Sequence, residues 1–193
     1  MSGLNKGVGK VEVALKWDPS PAGSPAHDLD LVAAVYAADA PYGPPAYLVH
    51  FDSRSPDGTI TLQRDSRTGQ GFGYDEAMTV ELTRLAERYA RVVVGVAIQQ
   101  GGGRLTFGQV ARTGVRVREG YTDLLVDALD SVADATAATI AEFVRDGLDG
   151  ATGATGGASG AGDGSGEWLF RPLLQGFDID PSTFGAVMGE RRA

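Results

Sequence analysis

The sequence contains no cysteine and only two histidines. The absence of cysteine excludes disulfides, thiol nucleophiles, iron–sulfur clusters and thiolate zinc sites. His27 and His50 are too few to build a three-histidine zinc centre. The remaining metal chemistry depends on oxygen ligands, and the chain carries 17 aspartates against 8 glutamates. Short carboxylates in loops suit hard cations such as calcium.

Long apolar segments are also lacking. No uncharged apolar run reaches about 18 residues, the length that suggests a membrane-spanning helix. The N-terminal residues Met1–Lys6 lead into no apolar segment of the kind found in signal peptides. We therefore expect a cytoplasmic protein without integral membrane association.

Positive charge is scarce in one part of the chain. The net charge is −8, and residues 119–149 carry eight acidic groups and one basic group. Nucleic-acid binding depends on neutralising phosphates with Lys and Arg, so the composition predicts no nucleic-acid partner.

The apolar residues form many short segments separated by glycine and proline, a pattern typical of an antiparallel β-sandwich. The clearest strand covers Arg91–Ile98, which is β-branched and almost continuous. Ser55-Pro56-Asp57-Gly58 predicts a tight turn. Asp180 followed by Pro181 predicts the start of a short C-terminal helix.

Two later segments are less regular. Residues 123–145 fit an amphipathic helix, because Leu125, Leu129 and Val132 recur at steps of three and four. The same stretch fits strands, since Leu124-Leu125-Val126 is a short apolar run. Residues 150–166 contain no side chain able to anchor a core, which predicts a flexible glycine-rich insertion.

The segment Asp65–Glu76 has carboxylates at both ends and three glycines at alternating positions between them. Glycines allow backbone carbonyls to turn inward, and calcium takes six to eight oxygen ligands. Asp28 and Asp30 alternate with Leu29, so on a strand both would point to one face. Two like charges about 4 Å apart cost several kcal/mol, and convergence would therefore imply a cation. The alternative is that each aspartate only caps a turn.

Several motifs resemble the TerD family of tellurium-resistance, calcium-binding stress proteins. The motifs that occur in the order of the family are Asp28-Leu29-Asp30, Ser55-Pro56-Asp57-Gly58, Thr68-Gly69-x-Gly71-x-Gly73-x-Asp75-Glu76, Phe107-Gly108-Gln109-Val110, and Gly166-Glu167-Trp168-x-Phe170-Arg171 with Gln175-Gly176. Each motif is weak alone, but five in order with compatible spacing are specific.

The resemblance implies an all-β fold, a two-sheet antiparallel β-sandwich with a short C-terminal helix, as a single domain over residues 1–193. It favours strands within 123–145. It also implies a non-enzymatic protein that binds Ca²⁺ in the loop 65–76 and acts with other stress-response proteins. The implied metal-site residues are Asp28, Asp30, Asp52, Asp65, Arg67, Gly69, Asp75 and Glu76.

The loop of this chain carries fewer acidic residues than is typical of the family. Arg64, Gln70 and Phe72 stand at variable positions where family members often have acidic residues. Fewer carboxylates usually mean weaker calcium binding, so the site could hold fewer ions, or the loop could be purely structural. The alternative function is a metal-independent protein-interaction scaffold. A hydrolytic triad using His50 has no supporting motif such as a nucleophile elbow, and the absence of cysteine removes the obvious soft ligand for tellurite.

Overall fold

The structure is a computed structural model that describes residues 7–148 and 166–190. The predicted insertion at 150–166 lies outside the described residues, apart from Gly166. The strands are β1 Lys10–Lys16, β2 Leu29–Ala37, β3 Tyr47–Val49, β4 Ile60–Arg64, β5 Glu76–Glu81, β6 Tyr89–Ile98, β7 Gly114–Glu119, β8 Thr122–Asp127, β9 Ala137–Arg145 and β10 Trp168–Phe177. Helix α1 is Pro181–Val187, and single 3₁₀ turns cover Leu82–Arg84, Phe107–Gln109 and Asp130–Val132.

The strands form two antiparallel five-stranded sheets, which confirms the predicted architecture. Sheet A has the order β4-β5-β1-β7-β8, and sheet B has the order β10-β9-β6-β2-β3. All strand pairs in both sheets are antiparallel. Strands β4 and β8 are therefore the edges of sheet A, and β3 and β10 are the edges of sheet B.

Strand β2 packs against an apolar cluster on each of its two faces, which explains why its sequence is apolar on both. Leu29, Leu31 and Val35 belong to the main core between the sheets. Val32 and Tyr36 point the other way, into a second apolar cluster that includes Phe184 of helix α1. The C-terminal helix therefore covers part of the outer face of sheet B. In the described part of the chain, no helix has the length and apolarity needed to cross a membrane.

Residues 123–145 form strands, as the resemblance implied. Strand β8 pairs with β7, a 3₁₀ turn follows, and β9 pairs with β6 on one side and β10 on the other. Strand β9 is buried along almost its whole length because it lies inside sheet B with both faces covered. Helix-like spacing in this segment results from continuous burial and does not reflect a single apolar stripe.

One edge of the sandwich is left partly open. Strand β3 has only three residues, and its pairing with β2 covers Ala33–Val35. Within residues 7–148 and 166–190, no strand lies beside the first half of β2 on that side. Residues 50–59 cross from β3 in sheet B to β4 in sheet A at the same edge. The candidate site lies here.

Candidate metal centre

Three carboxylates from different elements meet at the open edge. Asp30 lies in β2, Asp65 follows β4, and Glu76 is the first residue of β5. Each offers one oxygen, and these oxygens lie within 4.8 Å of one another. The convergence links the two sheets, because β2 belongs to sheet B and β4 and β5 belong to sheet A.

Glu76 is completely buried, and its two oxygens have different surroundings. The Leu31 N–H donates a hydrogen bond to Oε2 at 2.7 Å. This N–H is free for Glu76 because β3 does not extend alongside Leu31. The other oxygen, Oε1, is buried without a hydrogen-bond partner among the described residues. Burial raises the pKa of Glu76 to about 10; the Leu31 N–H opposes this shift, and the charges of Asp30 and Asp65 add to it.

Burial and the negative charge of Asp65 raise the pKa values of both Asp30 and Asp28. Asp30 is buried and accepts a hydrogen bond from the Gln99 side-chain amide. Burial raises the pKa of Asp30, while the Gln99 amide lowers it and the Asp65 charge raises it. Burial raises the pKa of Asp28 to about 6, with further upward contributions from Asp30 and Asp65. Oδ1 of Asp28 is buried and accepts no hydrogen bond within the part of the chain that the structure describes.

These observations fit a hard cation. Neighbouring carboxylates with raised pKa values repel one another when ionised, and no ion pair joins Asp28, Asp30, Asp65 or Glu76 to a basic side chain within residues 7–148 and 166–190. Two carboxylate oxygens of this group are buried without a hydrogen-bond partner among the residues that the structure describes. A divalent cation would satisfy these oxygens and remove the repulsion.

Asp75 and Asp52 do not belong to the three-carboxylate group. The buried carboxylate of Asp75 accepts a hydrogen bond from the backbone N–H of Trp17, the residue after β1, at 3.0 Å. The backbone N–H of Asp75 donates to the Leu15 carbonyl of β1. Asp52 lies in the exposed turn after β3, where its N–H donates to His50 Nδ1 at 3.3 Å. Asp52 and Asp30 line the same surface cavity. A ligand role for Asp75 or Asp52 stays a prediction.

The remaining predicted residues, Arg67 and Gly69, lie in the β4–β5 loop. Arg67 is exposed, and its positive charge lowers the pKa values of Asp28 and Asp30. Gly69 is buried with φ +64°, and a Cβ at this position would lie 2.6 Å from Trp17 Nε1. Gly69 thus brings the loop close to Trp17. Their roles as metal ligands stay predictions.

Two groups at the site were not predicted from the sequence. The backbone N–H of Leu31 carries no sequence signal, because its availability depends on the length of β3. Gln99 follows the most apolar strand of the chain, β6. A polar residue directly after a buried strand marks the end of that strand, but its contact with Asp30 depends on the pairing of β2 with β6.

Comparisons with known proteins agree with this architecture. The model of the TerD domain matches residues 1–160. The "Tellurium resistance protein TerD" of Serratia marcescens is 27% identical over 169 residues, which are 86% of this chain and 80% of that protein. The "General stress protein 16U" of Bacillus subtilis is 26% identical over 180 residues, which are 90% of this chain and 83% of that protein.

A solved structure is considerably more similar. It is the crystal structure of a homologue of telluride resistance protein (TerD) from Streptomyces coelicolor A3(2). That protein is 52% identical in sequence, and the superposition has a TM-score of 0.85 over 96% of this chain and all of the other chain. The family match covers most of the chain, and the strands and their order form the expected sandwich. The chain therefore belongs to the TerD domain family.

Proposed function

We propose that this protein is a non-enzymatic, calcium-binding member of the tellurium-resistance and stress-response group, and that the ion orders the β4–β5 loop. The observation that carries the proposal is the convergence of Asp30, Asp65 and Glu76. In this proposal Asp65 is the ligand that couples the loop to the ion, because it lies at the start of the loop. Asp28 contributes negative charge at the side of the group.

The chemistry of the donors favours calcium over softer metals. All the converging ligands are carboxylate oxygens, which suit Ca²⁺, Mg²⁺ and Mn²⁺, whereas zinc and copper favour nitrogen and sulfur. Calcium tolerates irregular geometry and takes six to eight oxygens. A loop residue and two strand residues from different sheets can provide such irregular geometry more easily than the strict octahedron of magnesium.

The names of the relatives supply the biological setting of the proposal. Relatives in Serratia marcescens and Bacillus subtilis are named for tellurium resistance and for general stress. Without cysteine, this chain lacks the usual soft ligand and reductant for tellurite. We therefore propose an indirect contribution to stress resistance. The cytoplasmic location and the stress-response partners expected from the sequence stay predictions.

Calorimetry and thermal unfolding test the metal proposal. Protein freed of metal with a chelator should give a saturable heat on titration with calcium and a smaller response with magnesium. At a calcium concentration of 100 Kd, binding should add about 2.7 kcal/mol to the free energy of unfolding. Asp30→Asn combined with Asp65→Asn should abolish the heat.

Asp39→Asn is the matched control, because Asp39 is an exposed aspartate outside the group of converging carboxylates. This variant should bind calcium like the unmodified protein. If metal-free protein gives no calcium heat and calcium leaves its melting temperature unchanged, the proposal is wrong. The metal-independent interaction scaffold would then be the better description.

A further inference from the structure

The surface around the candidate metal centre combines exposed aromatic and basic side chains. We define the rim of the centre as Phe51, Arg54, Arg64, Arg67 and Phe72. Phe72 is 100% exposed and Phe51 is 51% exposed. Such exposure of phenylalanine is unusual, because each fully buried side chain of this size contributes about 1.5–3 kcal/mol. The other strongly exposed large apolar side chains of the described residues lie in the β7–β8 hairpin, at the far edge of sheet A.

The topology places the rim residues at one edge of the sandwich. Phe51 and Arg54 belong to the segment that crosses from β3 to β4, the edge strands of sheets B and A. Arg64 ends β4, and Arg67 and Phe72 lie in the β4–β5 loop that also carries Asp65. The rim residues therefore come from the same two segments that border the converging carboxylates.

Two basic residues of the rim, Arg54 and Arg64, are available for external anions, whereas the charge of Arg67 also acts on Asp28 and Asp30. Arg54, Arg64 and Arg67 are all exposed, and none forms an ion pair with a carboxylate in the described part of the chain. Sheet A shows the contrast. On its outer face Glu12 pairs with both Arg116 and Arg118. Glu81 likewise pairs with Lys10 and Arg84.

Exposed aromatic side chains on the same segments as arginines that form no ion pair in the described part of the chain suit the boundary between lipid headgroups and acyl chains. Phenylalanine enters that boundary with its apolar ring, and arginine binds the phosphates of anionic lipids. Stable protein–protein interfaces typically have a contiguous apolar core. Phe51 and Phe72 project from two separate segments, which fits a lipid surface better.

We infer that the rim docks on an anionic lipid surface when the centre holds a divalent cation. This inference rests on the proposed calcium site. Asp28, Asp30, Asp65 and Glu76 carry up to four negative charges when ionised, and such charges repel lipid phosphates. One divalent cation would cancel half of that charge and would attract a phosphate oxygen instead of repelling it. Docking therefore requires the cation, the basic groups and the phenylalanines together.

Vesicle co-sedimentation tests the inference. The full chain is mixed with phosphatidylcholine vesicles that contain about one third phosphatidylserine, either with calcium or with a chelator. Calcium should increase the bound fraction at least about tenfold on these vesicles. Vesicles of phosphatidylcholine alone should bind little protein in either condition.

Matched variants distinguish vesicle binding through the rim from nonspecific adsorption of the protein. Phe72→Ser should weaken vesicle binding about tenfold, the value expected for losing one inserted aromatic ring. Tyr121→Ser, which removes a fully exposed aromatic from the far edge, should change nothing. Arg54→Gln combined with Arg64→Gln should weaken binding about fivefold per charge at low salt. Arg84→Gln is the control for charge, because Arg84 pairs with Glu81.

Calorimetric titration of the same proteins with calcium distinguishes failure of the inference from failure of the metal site. Calcium binding without calcium-dependent sedimentation would overturn the lipid inference and leave the metal proposal standing. Absence of calcium binding would overturn both. Equal effects of Phe72→Ser and Tyr121→Ser would overturn the role of the rim, as would equal sedimentation in chelator. Phe72→Ser should retain its calcium affinity and its melting temperature, since the ring contacts solvent.

Discussion

Asp75 and Glu76 are neighbours in the chain, yet they have different roles. Successive side chains of an extended backbone point to opposite sides. The Asp75 carboxylate binds the N–H of Trp17, and Glu76 turns toward Leu31 and Asp30. One carboxylate fixes the loop to Trp17, directly after β1, and the other enters the candidate metal centre.

Glu76→Gln tests the cost of keeping an acid at this position. A glutamine oxygen can still accept the Leu31 N–H, while the repulsion with Asp30 and Asp65 disappears. We expect the variant to be more stable than the unmodified protein in chelator and to lose most of the stabilisation by calcium. Chemical denaturation with and without calcium measures both effects. Lower stability in chelator would contradict the electrostatic interpretation.

Asp75→Ala should destabilise the protein, in contrast to Glu76→Gln. It leaves the Trp17 N–H buried without an acceptor, which costs about 1–3 kcal/mol. This loss should be equal with and without calcium, because Asp75 lies outside the group of converging carboxylates. The same denaturation series measures it. A loss confined to the calcium-bound protein would instead make Asp75 a ligand.

The β4–β5 loop is the element that depends most on glycine. Gly69 has φ +64°, and its backbone approaches Trp17 so closely that a Cβ would lie 2.6 Å from Nε1 and 2.9 Å from the Trp17 carbonyl oxygen. Gly73 also has a positive φ of +87°, but its Cβ would meet nothing within 4 Å. A comparison of substitutions at the two glycines therefore separates the cost of backbone strain from the cost of a steric contact.

Gly69→Ala should destabilise the protein more than Gly73→Ala does. Both variants pay for a left-handed residue with a Cβ, at about 1–2 kcal/mol. Only the change at Gly69 adds a steric clash, which typically costs a further ~1–3 kcal/mol. Thermal unfolding in chelator measures the difference. Equal losses would show that the loop moves away from Trp17 without penalty.

The short strand β3 explains how an edge of the sandwich can carry a site. Three residues pair with β2, and the backbone of Leu31 is left to bind a side chain. Because β2 and β3 are antiparallel and Ala33 pairs with Val49, the backbone of Leu31 would face the residues that follow β3. There the chain turns back on itself, with backbone hydrogen bonds in both directions between His50 and Ser53, so it does not continue the ladder along β2.

For the molecule as a whole, the converging carboxylates should make stability depend on pH. A carboxyl group with a raised pKa holds its proton more tightly in the folded state. The folded state therefore loses stability as the pH rises from the ordinary pKa to the raised one. For Asp28 this range extends from 3.8 to about 6, and for Glu76 from 4.5 to about 10.

In chelator, these groups should lower the melting temperature as the pH rises from 5 to 8. Calcium should oppose the loss, because a bound cation favours the ionised carboxylates and displaces their protons. The difference between the calcium and chelator melts should therefore widen with pH. Glu76→Gln is the control and should reduce the slope in chelator. A difference that stays constant from pH 5 to 8 would contradict the assignment of these carboxylates to the ion.

The short-range patterns of the sequence were sufficient for much of the fold. Alternation of apolar residues, turn motifs and the Asp180-Pro181 cap are local, so they predicted the β-sandwich class, the strand at Arg91–Ile98 and helix α1. Residues 123–145 were ambiguous because a strand buried on both faces lacks a clear period. Only the pairing of β9 between β6 and β10 shows it to be a central strand.

The sequence by itself determined that any metal chemistry uses oxygen, since it contains no cysteine and few histidines, and it placed acidic residues in the right segments. Only the tertiary structure decided which of them meet. Asp30 and Glu76 are 46 positions apart in the chain, and their contact depends on two sheets packing with a particular register. A one-residue change of register would turn Glu76 away and present Asp75 in its place. The selection of Asp30, Asp65 and Glu76 is therefore a property of the packed sandwich.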